Sequence, residues 1–144
     1  MTCRRSAVAL VVAALLAFPH PETSSAAGGA AVEVGPGRVR SIFHTNSHRL
    51  ELRIAPNRAS VWNTLQLKIT HKGVLLRRAR VTAAMTMRAM QMGTQTFHLS
   101  ESPGGTYSYL GPALLMAGVW NIQLVVAPSR GTSFTVQVRD QVAT

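Results

Sequence analysis

From residue 50 onward the chain alternates apolar and polar side chains with a period of two, the spacing of strands that bury one face. Leu50, Leu52 and Ile54 alternate with Glu51 and Arg53 before Pro56-Asn57 turns the chain. Leu65, Leu67 and Ile69 alternate with Gln66 and Lys68, and His71-Lys72-Gly73 reads as a turn. Residues 74–81 form the next predicted strand, which runs into a methionine-rich stretch. Residues 94–100 follow, with Phe97 and Leu99 on one face, and then the turn signal Glu101-Ser102-Pro103-Gly104-Gly105. A short aromatic strand over 106–110 precedes two more alternating runs, Trp120, Ile122 and Leu124, then Phe134, Val136 and Val138. No segment carries a helical period. About seven short strands, each with one apolar face, predict an all-β fold, an immunoglobulin-like antiparallel β-sandwich.

The first residues have a different pattern. Arg4 and Arg5 precede an apolar run over 6–18, and a polar stretch then ends in the small residues Ser25-Ala26-Ala27, the form of an export signal with its cleavage site. The run is shorter than the roughly 20 residues of a comfortable membrane span, so cleavage is expected and an uncleaved anchor is the alternative. The expected organisation is a signal peptide over 1–27, a flexible Gly-, Ala- and Pro-rich arm over 28–48, and one domain over 49–140. Localisation follows as periplasmic or extracellular.

Composition narrows the chemistry. Cys3 lies ahead of the apolar run, so the exported chain has no cysteine, which removes disulfides, thiolate metal sites and thiol catalysis. After residue 27 there remain 13 basic side chains against Glu33, Glu51, Glu101 and Asp140. So few carboxylates disfavour a calcium or magnesium cage and a paired-carboxylate hydrolase. An enzyme is not expected, because no acid, base and nucleophile set is evident. Nucleic acid is a poor partner for an exported chain without an aromatic-interleaved basic motif. No small-molecule substrate is indicated. Arg77-Arg78-Ala79-Arg80 reads as an exposed strand edge or turn exit, with attraction to anionic lipid as its functional alternative. His44 and His48 read as solvated loop histidines in preference to a second metal site.

The stretch Met85-Thr86-Met87-Arg88-Ala89-Met90-Gln91-Met92 holds four of the six methionines. Thioethers are soft, uncharged donors that suit Cu(I) and are not lost to protonation, whereas histidine and cysteine must shed a proton to bind. Methionine also fills irregular gaps in a core, but a core-facing strand would ordinarily use Val, Ile and Leu. On a straight strand Met85 and Met87 share one face while Met90 and Met92 share the other. Positions 85 to 92 would then span about 23 Å at about 3.3 Å per residue, so convergence needs a bend or loop around Arg88-Ala89. Met116 and His98 are candidates to complete a three- or four-coordinate site. Each has a plain structural alternative, packing beside Trp120 for Met116 and a surface strand position for His98.

Three motifs in order, Ala79-Arg80-Val81 followed by Met87, Met90 and Met92, then Pro103-Gly104-Gly105-Thr106-Tyr107, then Met116-Ala117-Gly118-Val119-Trp120-Asn121-Ile122, resemble the YtkA-like domain family, allied to FixH-type proteins. The resemblance covers residues 50–138. It implies an immunoglobulin-like domain on the outer face of a bacterial membrane, of a kind in some cases linked to copper handling, with Met87, Met90, Met92 and Met116 at the family's methionine positions. The chain departs from that pattern at Arg88 and Gln91, and a cation at Arg88 would oppose a metal ion if it pointed inward. Two functions follow as expectations. One is a copper-binding or copper-delivery domain with Cu(I) at Met85, Met87, Met90, Met92, Met116 and His98, serving a copper-receiving protein. The other is a metal-free interaction module of the cell envelope that docks a membrane-protein partner.

Export predicts that the mature chain begins at Gly28, with Ala31 the second-choice cleavage point. Intact-mass analysis of the exported protein checks this, and retention of residues 1–18 would replace the cleaved form by the anchored one.

Overall fold

The computed structural model describes residues 30–45, 47–90 and 92–144; the expected signal peptide and Cys3 lie outside them. Among the described residues the protein is all-β, with ten strands: β1 (Val32–Val34), β2 (Val39–Thr45), β3 (His48–Ala55), β4 (Asn63–His71), β5 (Val74–Leu75), β6 (Arg80–Met87), β7 (Gln95–Glu101), β8 (Thr106–Gly111), β9 (Gly118–Ala127) and β10 (Phe134–Val142). They hydrogen-bond in the order β1-β10-β9-β6-β7-β8-β4-β3-β2, with β5 added beside β4. Pairing is antiparallel except between β1 and β10. The two ends of this order, β1 and β2, come into contact, so the sheet curls into a nearly closed, barrel-like form.

Ten strands replace the expected seven for two local reasons. The predicted strand from 74 is interrupted after Leu75, where Arg78 takes a left-handed φ of 57° and the chain turns before restarting at Arg80. The segment 28–48, expected as an arm, supplies β1 and β2 instead. Val39, Ser41, Phe43 and Thr45 point inward beside β3, a weak alternation that Gly, Pro and polar residues obscure in the sequence.

Elsewhere the period-two pattern selects the buried face as expected. Leu50, Leu52 and Ile54 of β3, Leu65, Leu67 and Ile69 of β4, Trp120, Ile122 and Leu124 of β9, and Phe134, Val136 and Val138 of β10 fill one core. Trp120 is its largest side chain, and its indole Nε1 donates to Met116 O at 2.9 Å. The Tyr107 hydroxyl donates to Leu76 O at 2.8 Å and accepts from Ala79 N, which pins the interrupted segment to β8. Burial pushes the Tyr107 phenol up from its ordinary value. Arg77 and Arg78 are exposed at this turn exit, as the sequence suggests. Glu101 accepts the Arg78 backbone N–H and pairs with the Arg77 side chain, and the backbone bond is the main reason its carboxyl is held below the usual range.

Three buried polar residues knot the opposite end. Asn63 Oδ1 accepts from Asn57 N at 2.8 Å, Asn63 Nδ2 donates to Arg58 O, and Asn57 Nδ2 donates to Gly37 O and to Asp140 Oδ1, both at 2.9 Å. The knot joins two connecting segments, the Gly37 turn and the link from β3 to β4, to β10, with Asn57 and Asp140 83 residues apart in sequence. Gly35 (φ 79°) closes over it, since a Cβ there would lie 2.8 Å from Asp140 Oδ1 and 2.4 Å from Gln141 O. Burial raises the Asp140 carboxyl above its ordinary value, and the Asn57 hydrogen bond only partly offsets this.

Trp120→Ala is expected to destabilise the domain by about 3–5 kcal/mol, the usual cost of emptying a large buried aromatic site, and more than Met85→Leu, which conserves volume and costs under about 1.5 kcal/mol. Urea midpoints measure both, and a Trp120→Ala midpoint equal to wild type would refute the central role of the indole. Asp140 adds a pH dependence. Because its folded pKa is raised, the folded state holds the proton more tightly than the unfolded one; the resulting stabilisation is present below the unfolded value of about 3.9 and fades as pH rises through the folded value. Asp140→Asn is therefore expected to flatten the fall in stability on the alkaline side of that window and to raise the midpoint at pH 7. A lower midpoint at pH 7 would show that the carboxylate is needed in its charged form.

Candidate metal centre

β6 carries the methionine stretch to the end of the sheet that also holds the polar knot. Its inward positions are Val81, Ala83, Met85 and Met87, all buried, while Thr82, Ala84 and Thr86 are half-buried on the other side. Met85 is 2 % exposed and sits opposite Ile122, within the core. Met87 is 5 % exposed and sits opposite Trp120 at the last position of the strand. Both share one face, as alternation requires.

The bend that convergence needs occurs where the sequence places it. β6 ends at Met87, a turn follows over 88–90, and Arg88 N donates to Val119 O at 2.9 Å as the last link to the neighbouring strand. Met90 is 46 % exposed and Met92 is half-buried in the loop that leads to β7. The threonine hydroxyls of Thr86 and Thr94, 3.1 Å apart, tie the two legs of the loop together. Arg88 is exposed, so its cation does not occupy the interior. Gln91 lies outside the described residues.

The segment 112–117 approaches the same end. Met116 is half-buried against the core, and it meets Trp120 through its carbonyl oxygen, the acceptor of the indole N–H. Gly118 (φ 135°) is a close-approach position: a Cβ there would lie 2.8 Å from Met87 Cε, so the Met87 methyl rests on bare backbone. Met87, Met90, Met92 and Met116 thus belong to one end of the sheet. The other two candidates do not join them. Met85 lies deeper in the core, and His98 is exposed on the outer side of β7, opposite Thr82, because Phe97 and Leu99 take the inward positions.

This end also has an apolar rim that the alternation analysis misses. Trp62 is 67 % exposed and Leu110 60 % exposed, with Val61 and Leu115 exposed beside them. Leu110 pairs with Thr64, and Ser60 ties the rim together by donating from its N to Leu114 O and from its hydroxyl to Leu115 O. The available signal was phase: Trp62 falls in register with Thr64, Gln66 and Lys68, the outward row of β4.

In donor chemistry the methionine end offers thioethers, which favour a soft monovalent ion over hard cations. Among the described residues no three His, Cys, Asp or Glu side chains come together as metal ligands. No protein-family model, curated protein or solved structure matches the chain, so its resemblance to the YtkA-like family rests on the quoted motifs alone.

Proposed function

We propose that the protein is an exported copper-binding or copper-delivery domain, an immunoglobulin-like sandwich of the periplasm or cell exterior that takes Cu(I) at its methionine end. The observation that carries this reading is the break of β6 at Met87. It releases Met90 to solvent and Met92 to a half-buried loop position, beside the segment that bears Met116. Met87, Met90, Met92 and Met116 are the proposed donor set. Met85 is left to packing and His98 to the outer surface. A site of this kind, open on one side and built on a loop, suits transfer to a copper-receiving protein better than permanent storage, because an incoming donor can reach the ion before the last thioether leaves.

A second reading is favoured by a separate observation, the exposed rim of Trp62, Leu110, Val61 and Leu115. Large apolar side chains grouped at one end of a small domain mark a contact surface. In this reading the domain docks a membrane-protein partner without metal, and the exposed methionines serve as an adaptable surface.

Replacing Met87, Met90 and Met92 together by leucine separates the two. Isosteric swaps of this kind cost under about 1.5 kcal/mol each in a core, so the fold is expected to survive while the soft donors vanish. Cu(I) affinity is expected to fall by well over tenfold, about 1.4 kcal/mol, and Zn(II) binding to be weak in both proteins. Competition titration with a Cu(I) chelator measures it. Unchanged affinity in a folded triple variant would assign the methionines to packing and transfer the function to the docking surface.

A further inference from the structure

The end of the sheet remote from the methionines carries a second cluster. The inward row of β3 begins at His48 and that of β4 finishes at His71, and the two residues are direct cross-strand partners with ring centroids 4.6 Å apart. Phe134, the first residue of β10, stacks on His48 at 4.4 Å and 25°. The loop from β9 to β10 then passes over these rings. Together they enclose a pocket of about 340 Å³ lined by His48, His71 and Phe134, by Leu76 and Pro128, and by the loop residues Arg130, Gly131, Thr132 and Ser133. Its volume lies at the lower end of the roughly 300–1,000 Å³ typical of small-ligand sites.

The lining carries the Arg130 cation and no anion. Its side-chain polar groups are an arginine, two imidazoles and two hydroxyls, and no carboxylate is among them. The acids of the described chain are engaged elsewhere: Glu33 with Arg139, Glu51 with Arg53 and Arg49, Glu101 with Arg77, and Asp140 with Asn57. His71 Nδ1 is buried and has no hydrogen-bond partner among the described residues. Leu76, Pro128 and the Phe134 ring supply apolar walls beside these groups. A divalent metal on the histidine pair would face the permanent Arg130 cation with no acid to offset it and no third ligand of the usual types among the described residues. An organic anion meets a cation, two hydroxyl donors and apolar walls in the same lining.

We infer that the His48–His71 pocket binds a small organic carboxylate, whose anionic group is held by Arg130 with the Ser133 and Thr132 hydroxyls and whose apolar body rests on Phe134, Leu76 and Pro128. Arginine matches a carboxylate through two parallel N–H donors, and the rigid aromatic platform supplies contact area at little entropic cost. The inference is independent of the copper reading, because no methionine takes part.

Benzoate, the isosteric neutral benzamide and acetate are the probes, titrated into the ¹⁵N-labelled protein while backbone amides of the 128–134 loop and the imidazole resonances of His48 and His71 are followed by NMR. Benzoate is expected to shift these resonances saturably. Benzamide, which lacks the charge, and acetate, which lacks the body, are each expected to bind at least about tenfold more weakly, as is benzoate to Arg130→Gln, the loss expected when a hydrogen bond to a charged group is removed. Arg130 is exposed in a loop, so its substitution leaves the core intact, and an unchanged amide spectrum elsewhere checks this. Equal binding of benzoate and benzamide, an Arg130→Gln affinity equal to wild type, or the absence of any saturable shift would each overturn the inference. So would saturable Zn(II) shifts at both imidazoles without any from benzoate, an outcome that would make the pair a metal site.

Discussion

The fold depends on one core enclosed by a curled sheet whose strand pairing narrows to a short seam between β7 and β8. β1, β10, β9, β6 and β7 lie on one side of this seam and β8, β4, β3 and β2 on the other, and the strand pairing across it is two residues long, Ser100 with Ser108 and Glu101 with Tyr107. Packing inside the curled sheet is therefore what chiefly holds the two sides of this seam together, helped by the Asn57–Asp140 hydrogen bond and the bridge of Arg58 with Ala143. A net backbone hydrogen bond contributes about 1 kcal/mol, whereas fully burying one Leu, Ile or Phe contributes about 1.5–3 kcal/mol, and the core contains more than twenty buried apolar residues. Strand register is fixed by the same requirement, because a slip of one residue would turn an entire inward row to solvent.

That requirement explains which features the sequence made legible. The rows of β3, β4, β9 and β10 could be read directly, because each is a run of strong apolar residues alternating with charged or amide ones. β2 could not. Its inward row is Val39, Ser41, Phe43 and Thr45, only two of which are strongly apolar, and its place at the sheet edge demands less burial. Nor could long-range partnerships be read. The contact of Asn57 with Asp140 spans 83 residues, and the His48–His71 pairing depends on the register of β3 against β4, with His71 itself mistaken for a turn residue by the Lys72-Gly73 that follows.

The methionine stretch shows the same division within a single segment. The shared face of Met85 and Met87, and the need for a bend at Arg88-Ala89, follow from strand geometry alone. The depth of each sulfur does not, since methionine is equally at home as a gap filler and as a soft ligand. Strand position decides it: Met85 is flanked on both neighbouring strands, while Met87 occupies the last rung, where Gly118 lets its methyl approach bare backbone. A side chain at a last rung can still be redirected by the loop that follows, whereas one two residues deeper cannot move without leaving a cavity.

The two ends of the sheet are consequently specialised in opposite ways by one constraint. Inward rows must stop somewhere, and the residues near each end meet loops as well as strands, which lets hydrogen-bonded or softer side chains take their place in the packing. At one end lie Met87 and Asn63, which end their rows, and Asp140, one inward step before Val142, with the apolar rim outside. At the other they are His48, His71 and Phe134. The knot's hydrogen bonds tie the Gly37 turn and the 57–63 connection to β10 at the first end. The second end has a stacked pair of rings in place of such a knot, and the basic loop that covers it is free of any carboxylate that would neutralise it locally. Charge follows the same logic, because each exposed acid of the described chain is paired with an arginine, leaving the remaining cations, Arg130 among them, as the unneutralised part of the surface field.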